Sequence, residues 1–178
     1  MTGPPPNPYD FLPQVPSFEL SSTDIEDNSM MSIDQASGIF GAGGNDISPH
    51  LTWSGFPSET KSFVVTCFDP DAPTGSGFWH WVAYDIPAAV TELAAGAGSQ
   101  DGSGLPAGAK HLKSDAGLPG YLGSAPPAGH GPHRYIFAVH ALSVDSLPIT
   151  DDVAPAICGF NMFGNTLARA TLTALFEQ

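Results

Sequence analysis

The sequence predicts a mainly β protein, and three observations carry that expectation. Twenty glycines and 18 prolines among 178 residues are more than long helices tolerate, so strands joined by many turns are favoured. Ser62 to Phe68 and Phe78 to Ile86 gather β-branched and aromatic residues into runs of strand length. Hydrophobic residues make up 42% and charged residues 13%, a balance that disordered chains lack, so a packed core is expected. The length suits a single domain, residues 17–178, preceded by an arm, residues 1–16.

Met1 to Pro16 is proline-rich and is expected to form an extended, polyproline-like arm that drapes over the domain. Ser17 to Ser22 then reads as a short strand with Phe18 and Leu20 on one face. Gly41 to Gly44 is a glycine-rich loop; it lacks both the Lys-Ser/Thr ending of a P-loop and dinucleotide-fingerprint spacing, and reads as a turn. Ser62 to Phe68 is a buried strand that stops at Asp69-Pro70-Asp71-Ala72-Pro73, because proline cannot continue a central strand. It delivers Asp69 and Asp71 to its end. From Phe78 to Ile86, alternation puts Trp79, Trp81 and Ala83 opposite Phe78, His80, Val82 and Tyr84.

Ala94 to Ala109 and Tyr121 to Pro132 are loops, and the second leads into a strand from His133 to Val144. It carries His130, His133, Arg134 and Tyr135, so function is expected beside it. Asp151 and Asp152 are candidate caps for a helix with the apolar stripe Val153, Ile157, Phe160, Phe163 and Leu167. Ala170, Leu172, Ala174 and Phe176 then alternate with Thr171, Thr173 and Leu175, which gives a final strand.

A formal net charge of −13 leaves no basic footprint for phosphate backbones or anionic leaflets, so nucleic acid is excluded as a partner. No stretch of about 18 apolar residues provides an integral membrane segment, and the start of the chain lacks the charged and apolar regions of a signal peptide. A cytoplasmic location is expected. Cys67 and Cys158 lie in apolar segments and read as free thiols.

Asp69 and Asp71, two apart in extended backbone, point to one side and call for a donor or cation between them; the alternative is a turn device around Pro70 and Pro73. His80 lies on a strand expected to neighbour theirs, either as a pocket wall or as a satisfied core residue. With His130 and His133 these groups could hold a metal, although a Gly-Pro spacer is neither a helical nor a strand pairing of ligands. No Gly-x-Ser-x-Gly elbow supports a serine nucleophile, and Cys67 sits among apolar neighbours next to two carboxylates, which disfavours a thiolate.

Asp69-Pro70-Asp71-Ala72-Pro73, then His80-Trp81, then Ala125-Pro126-Pro127 followed after five residues by His133-Arg134-Tyr135, resemble the signature segments of the phosphatidylethanolamine-binding protein family. Ser48-Pro49-His50-Leu51-Thr52-Trp53 is similar to its bacterial, Raf-kinase-inhibitor-like branch, and the resemblance runs from about Phe18 to Phe176. It implies an antiparallel β-sandwich with a large central sheet, short peripheral helices and a small anion-binding pocket at the strand ends. Carried over residue by residue, the pocket holds Asp69, Asp71, His80, Ala125, Pro126, His133 and Tyr135, with Ala72-Pro73 as a candidate cis bond. Ala125 stands where the motif commonly has glycine, and its Cβ could crowd an anion.

The expected function is non-enzymatic binding of a phosphate-type ligand or phosphorylated group, with no cofactor, and with a kinase or protease as the protein partner it regulates. The resemblance also allows a homodimer. Two other classes stay open: a metal-assisted hydrolase using the Asp and His residues, and a structural protein with a vestigial pocket.

Overall fold

The computed structural model describes residues 3–178. Strand β4 (Ser62–Asp69) is buried along its whole length, and the rest of the fold is arranged to cover it on both faces. Its continuous apolar, β-branched run suits a central position where neither face meets water. Antiparallel neighbours flank it: β5 (Phe78–Pro87) on one side and β8 (His133–Leu142) on the other. Beyond β8 lies β9 (Thr166–Phe176), and short strands β2 (Ser29–Met30) and β7 (Lys110–His111) finish the two edges, giving the order β2-β9-β8-β4-β5-β7. β2 runs parallel to β9, so the large sheet is antiparallel everywhere except at that edge. A smaller antiparallel sheet, β1 (Glu19–Ser21), β3 (Leu51–Ser54) and β6 (Glu92–Leu93), covers one face.

The main core lies between the sheets, where Leu51, Trp53 and Leu93 meet Phe63, Val65, Cys67, Phe137 and Val139. Each such side chain contributes roughly 1.5–3 kcal/mol by leaving water. On the opposite face, helix α1 (Pro155–Met162) sets Cys158 and Met162 against Val64, Val82, Tyr84 and Leu142. Both cysteines are free and buried, each in its own core. Among the described residues no helix is long and apolar enough to cross a membrane.

The expected helical stripe is corrected by the structure. The buried side of α1 carries Pro155, Cys158 and Met162, while Ile157, Phe160 and Phe163 are exposed. Apolar residues occupy both sides of this short helix, so spacing alone could not choose between them. Nor do Asp151 and Asp152 cap it: Ala154 is the N-cap and Pro155 supplies the first helical position, where a missing N–H costs nothing. The final strand matches its expected pattern, with Ala170, Leu172, Ala174 and Phe176 buried.

The proline-rich arm docks on the same outer face as α1. A 3-10 turn, Pro8–Phe11, is capped by the Asn7 side chain and seats Tyr9 on Ile136 and Ala138. Beneath it runs a polar chain: Tyr9 hydroxyl to Thr66 Oγ1 at 3.1 Å, Thr66 Oγ1 to His140 Nε2 at 3.2 Å, and Arg169 Nε donating to His140 Nδ1 at 3.2 Å. Because Arg169 donates to Nδ1, that nitrogen carries the lone pair and the proton sits on Nε2. Burial, reinforced by the Arg169 charge, pushes His140 down to about 3.

A neutral His140 in the fold means that the unfolded chain binds more protons below its ordinary pKa of about 6.5. His111, pushed down to about 4 by burial, acts in the same direction. Stability from these rings is complete above about pH 6.5 and is lost as pH falls, by up to about 1.4 kcal/mol per pH unit for each ring. Melting temperatures followed by circular dichroism from about pH 7 to pH 4 are expected to drop accordingly. His140→Gln is expected to flatten that slope.

Candidate functional site

Three adjacent strands bring their ends to one place. Asp69 closes β4, His133 opens β8 with Tyr135 two residues further on, and His80 is the third residue of β5. They surround a cavity of about 360 Å³ whose remaining walls are Phe40, Ala72, Pro73, Thr74, Phe78, Leu122, Ala125, Pro126 and Pro127. A mostly apolar wall with a few convergent polar groups is the usual makeup of a small-ligand site.

His80 reaches the cavity through a β-bulge. Cys67 pairs with Trp81 while Phe68 pairs with Trp79, so β5 spends one extra residue, His80, at this point. The expected alternation is therefore corrected: Trp79 packs with the outer core, whereas Trp81 joins the inner core and His80 sits against Tyr135, ring centroids 5.1 Å apart. The His80 Nδ1–H donates to the Leu122 carbonyl at 2.9 Å, and the Leu122 N–H returns a bond to the His80 carbonyl at 2.9 Å. Burial lowers the His80 pKa, against the pull of the Leu122 carbonyl and the Asp69 charge. The neutral ring keeps a lone pair on Nε2.

Asp69 is 2% exposed and has both carboxylate oxygens occupied. Oδ1 accepts from the Asp71 backbone N–H at 2.8 Å and Oδ2 from His133 Nδ1 at 2.8 Å. Asp71 does not line the cavity. Its carboxylate turns to Arg134, accepting from the backbone N–H at 2.9 Å, from Nε at 2.8 Å and from Nη2 at 2.8 Å. Burial tends to raise the Asp71 carboxyl, but the Arg134 donors and charge, aided by His133, hold it below its usual range. The cation that two neighbouring aspartates demand is thus Arg134, whose other Nη2 contact is the Pro5 carbonyl of the arm at 2.6 Å.

Among the described residues there is no cis peptide bond, so Ala72-Pro73 is trans. The turn is shaped instead by the Asp69 side chain and by the Thr74 N–H bonded to the Ala72 carbonyl at 2.7 Å. Pro126 is buried, Ala125 half-buried, and both line the cavity. The Tyr135 hydroxyl is buried and donates to no acceptor among the described residues, and burial, then the Asp69 charge, pushes the phenol far up, which keeps it a donor. Cys67 is buried in the core and its thiol is raised by burial and by Asp69, so it offers no thiolate.

His130 is not a position of the family motif, yet its Nδ1 lies 2.7 Å from His133 Nε2. Phe40, Thr74, Leu122 and Pro127 were missed as wall residues. Phe40 comes from the glycine-rich loop, which works as a turn that holds this ring at the rim. The two glycines flanking His130 were the available hint that its ring could fold back on His133. Among the described residues no three His, Cys, Asp or Glu side chains converge in metal-holding geometry, since Asp71 faces Arg134 and both His133 nitrogens are engaged.

A buried Asp, two His and a Tyr thus meet at the ends of three adjacent strands of a two-sheet β fold. The model of the family described as phosphatidylethanolamine-binding protein matches residues 21–177, and the chain belongs to that family. It is 42% identical over 167 residues to the UPF0098 protein YbcL of Escherichia coli, covering 94% of this chain and 91% of that one. It is 44% identical over 160 residues to E. coli YbhB, covering 90% and 100%. The crystal structure of E. coli YbcL superposes with a TM-score of 0.88, covering 91% of this chain and 99% of that one. The homologue CT736 of Chlamydia trachomatis, 28% identical, gives 0.76 over 91% and 98%.

The bidentate Asp71–Arg134 pair is expected to fix the rim through charge-assisted bonds. A double-mutant cycle with Asp71→Ala and Arg134→Ala, read by denaturant unfolding, is expected to show a coupling of about 1–2 kcal/mol.

Proposed function

We propose that the cavity binds a small phosphate-type anion, free or carried on a larger molecule, without chemical turnover. The observation that carries this reading is the polar floor of the cavity: His80, His133 and Tyr135 converge beneath apolar walls, and the buried Tyr135 hydroxyl has no acceptor among the described residues. A phosphate oxygen accepts from Tyr135 and from protonated His133, while a protonated phosphate oxygen donates to neutral His80. Protons reconcile an anion with the nearby Asp69, as the second phosphate pKa lies near 6.

A phosphorylated side chain on a protein partner is a larger form of the same ligand, and occlusion of a kinase or protease is the regulatory role this pocket suits. Two unpaired buried thiols suit a reducing, cytoplasmic setting.

Because binding consumes protons on the rings or on the ligand, affinity falls as pH rises. An NMR titration of the histidine rings with phosphoethanolamine at about pH 6 and pH 8 is expected to show saturable shifts at His80 and His133, tighter at the lower pH. Tyr135→Phe, which keeps the packing and deletes the donor, is expected to weaken binding about fivefold or more. Equal affinity at both pH values would sink the model.

A further inference from the structure

We propose that His130 is a gate on this site: its ring occupies the His133 nitrogen that a phosphate oxygen needs, and ligand and ring compete for that nitrogen. The proposal rests on the anion-binding reading above and adds a residue that neither the motif nor the cavity wall contains.

The chain Asp69–His133–His130 leaves little freedom in where protons sit. An ionised carboxylate only accepts, so His133 Nδ1, 2.8 Å from Asp69 Oδ2, carries a proton. His133 Nε2 and His130 Nδ1, 2.7 Å apart, share a single proton between them. Either neutral His133 accepts it from His130, or protonated His133 donates it to His130. In both states the second His133 nitrogen is spent, and an arriving anion finds no free N–H there.

The local backbone suits a ring that leaves and returns. His130 is exposed, whereas His133 is 2% exposed. The turn itself is pinned, with the Gly129 N–H on the Gln178 carbonyl at 2.9 Å and the His130 N–H on the Pro127 carbonyl at 3.0 Å. Gly129 and Gly131 hold φ of +76° and +85°, where side chains are strained, and no heavy atom lies within 4 Å of the Cβ position of either. With the backbone held and the ring exposed, exchange requires only rotation about the His130 side-chain bonds. Among the described residues, the bond to His133 is the one hydrogen bond that holds the ring.

The surrounding charges favour the exchange only for an anion. Asp69 faces His133 from β4, neutral His80 from β5, Tyr135 from the same strand, and the Asp71–Arg134 pair closes the rim beside it. Once His130 leaves, an imidazolium at His133 lies between the Asp69 carboxylate and the ligand anion, opposite charges on both sides. A neutral ligand gains nothing from that arrangement and leaves the gate shut.

The test is calorimetric titration of the full chain with inorganic phosphate at about pH 6 and pH 8, for the unaltered protein and His130→Ala, with 15N spectra of the histidine rings. His130→Ala is expected to bind about three- to tenfold more tightly, the worth of one hydrogen bond no longer displaced. Affinity still falls with rising pH. In the unaltered protein, saturating phosphate is expected to move the His130 ring signals to those of a freely exposed imidazole. Unchanged or weaker affinity in His130→Ala, or a His130 ring that stays coupled to His133 at saturation, overturns the gate and leaves the anion site standing. Binding by His130→Ala alone supports both readings, whereas no binding by either protein at either pH overturns both.

Discussion

A carboxylate sealed at the end of a buried strand must find its donors inside the protein, and Asp69 is that group. Left unmatched it would cost several kcal/mol. Its two donors come from different parts of the chain: a backbone N–H two residues on, and a ring 64 residues away on β8. Satisfying Asp69 therefore fixes the turn after β4 and the start of β8 relative to each other. The cavity lies between those two segments, so its shape is largely a by-product of one buried charge finding partners. The strand order makes this possible, since a β4 flanked by both β5 and β8 brings His80 and His133 to the cavity that Asp69 lines.

The electrostatics of the site are governed by protons more than by fixed cations. Arg134, the cation at the rim, is committed to Asp71, and the chain as a whole carries −13. Long-range attraction therefore does not draw anions in, and at physiological salt charges beyond roughly 8 Å are largely screened. The anion recognition proposed for this cavity therefore rests on contact-range donors. A site of this design responds to the protonation state of its surroundings in a way that a lysine-lined pocket does not.

Strands β4, β8 and β9 were legible because each has one dominant signal, a continuous apolar run or a clean alternation, matched by burial in the structure. β5 was legible as a strand but not as to which way His80 faces. A bulge is a property of register between two strands, and the period of one strand carries no trace of it. Helix α1 was likewise found but turned the wrong way, since Phe160 and Cys158 are equally apolar on paper. At the site, Asp69, His80, Ala125, Pro126, His133 and Tyr135 came from short motifs and do ring one cavity. Asp71 came from the same motif yet serves Arg134, a partner visible only once the chain has folded. Phe40 and Leu122 have no motif at all; they are ordinary apolar residues made into walls by loop packing.

The docked arm bears on the order in which the molecule is made. Tyr9 rests on β8 and on a polar chain completed by Arg169, and Pro5 reaches Arg134, 129 residues further on, so the arm awaits partners made much later than itself. During synthesis the arm has nowhere to settle, and Thr66, His140 and Arg169 stay wet on an uncovered face until it arrives. A segment made well before β8 and β9 settles only after both are in place.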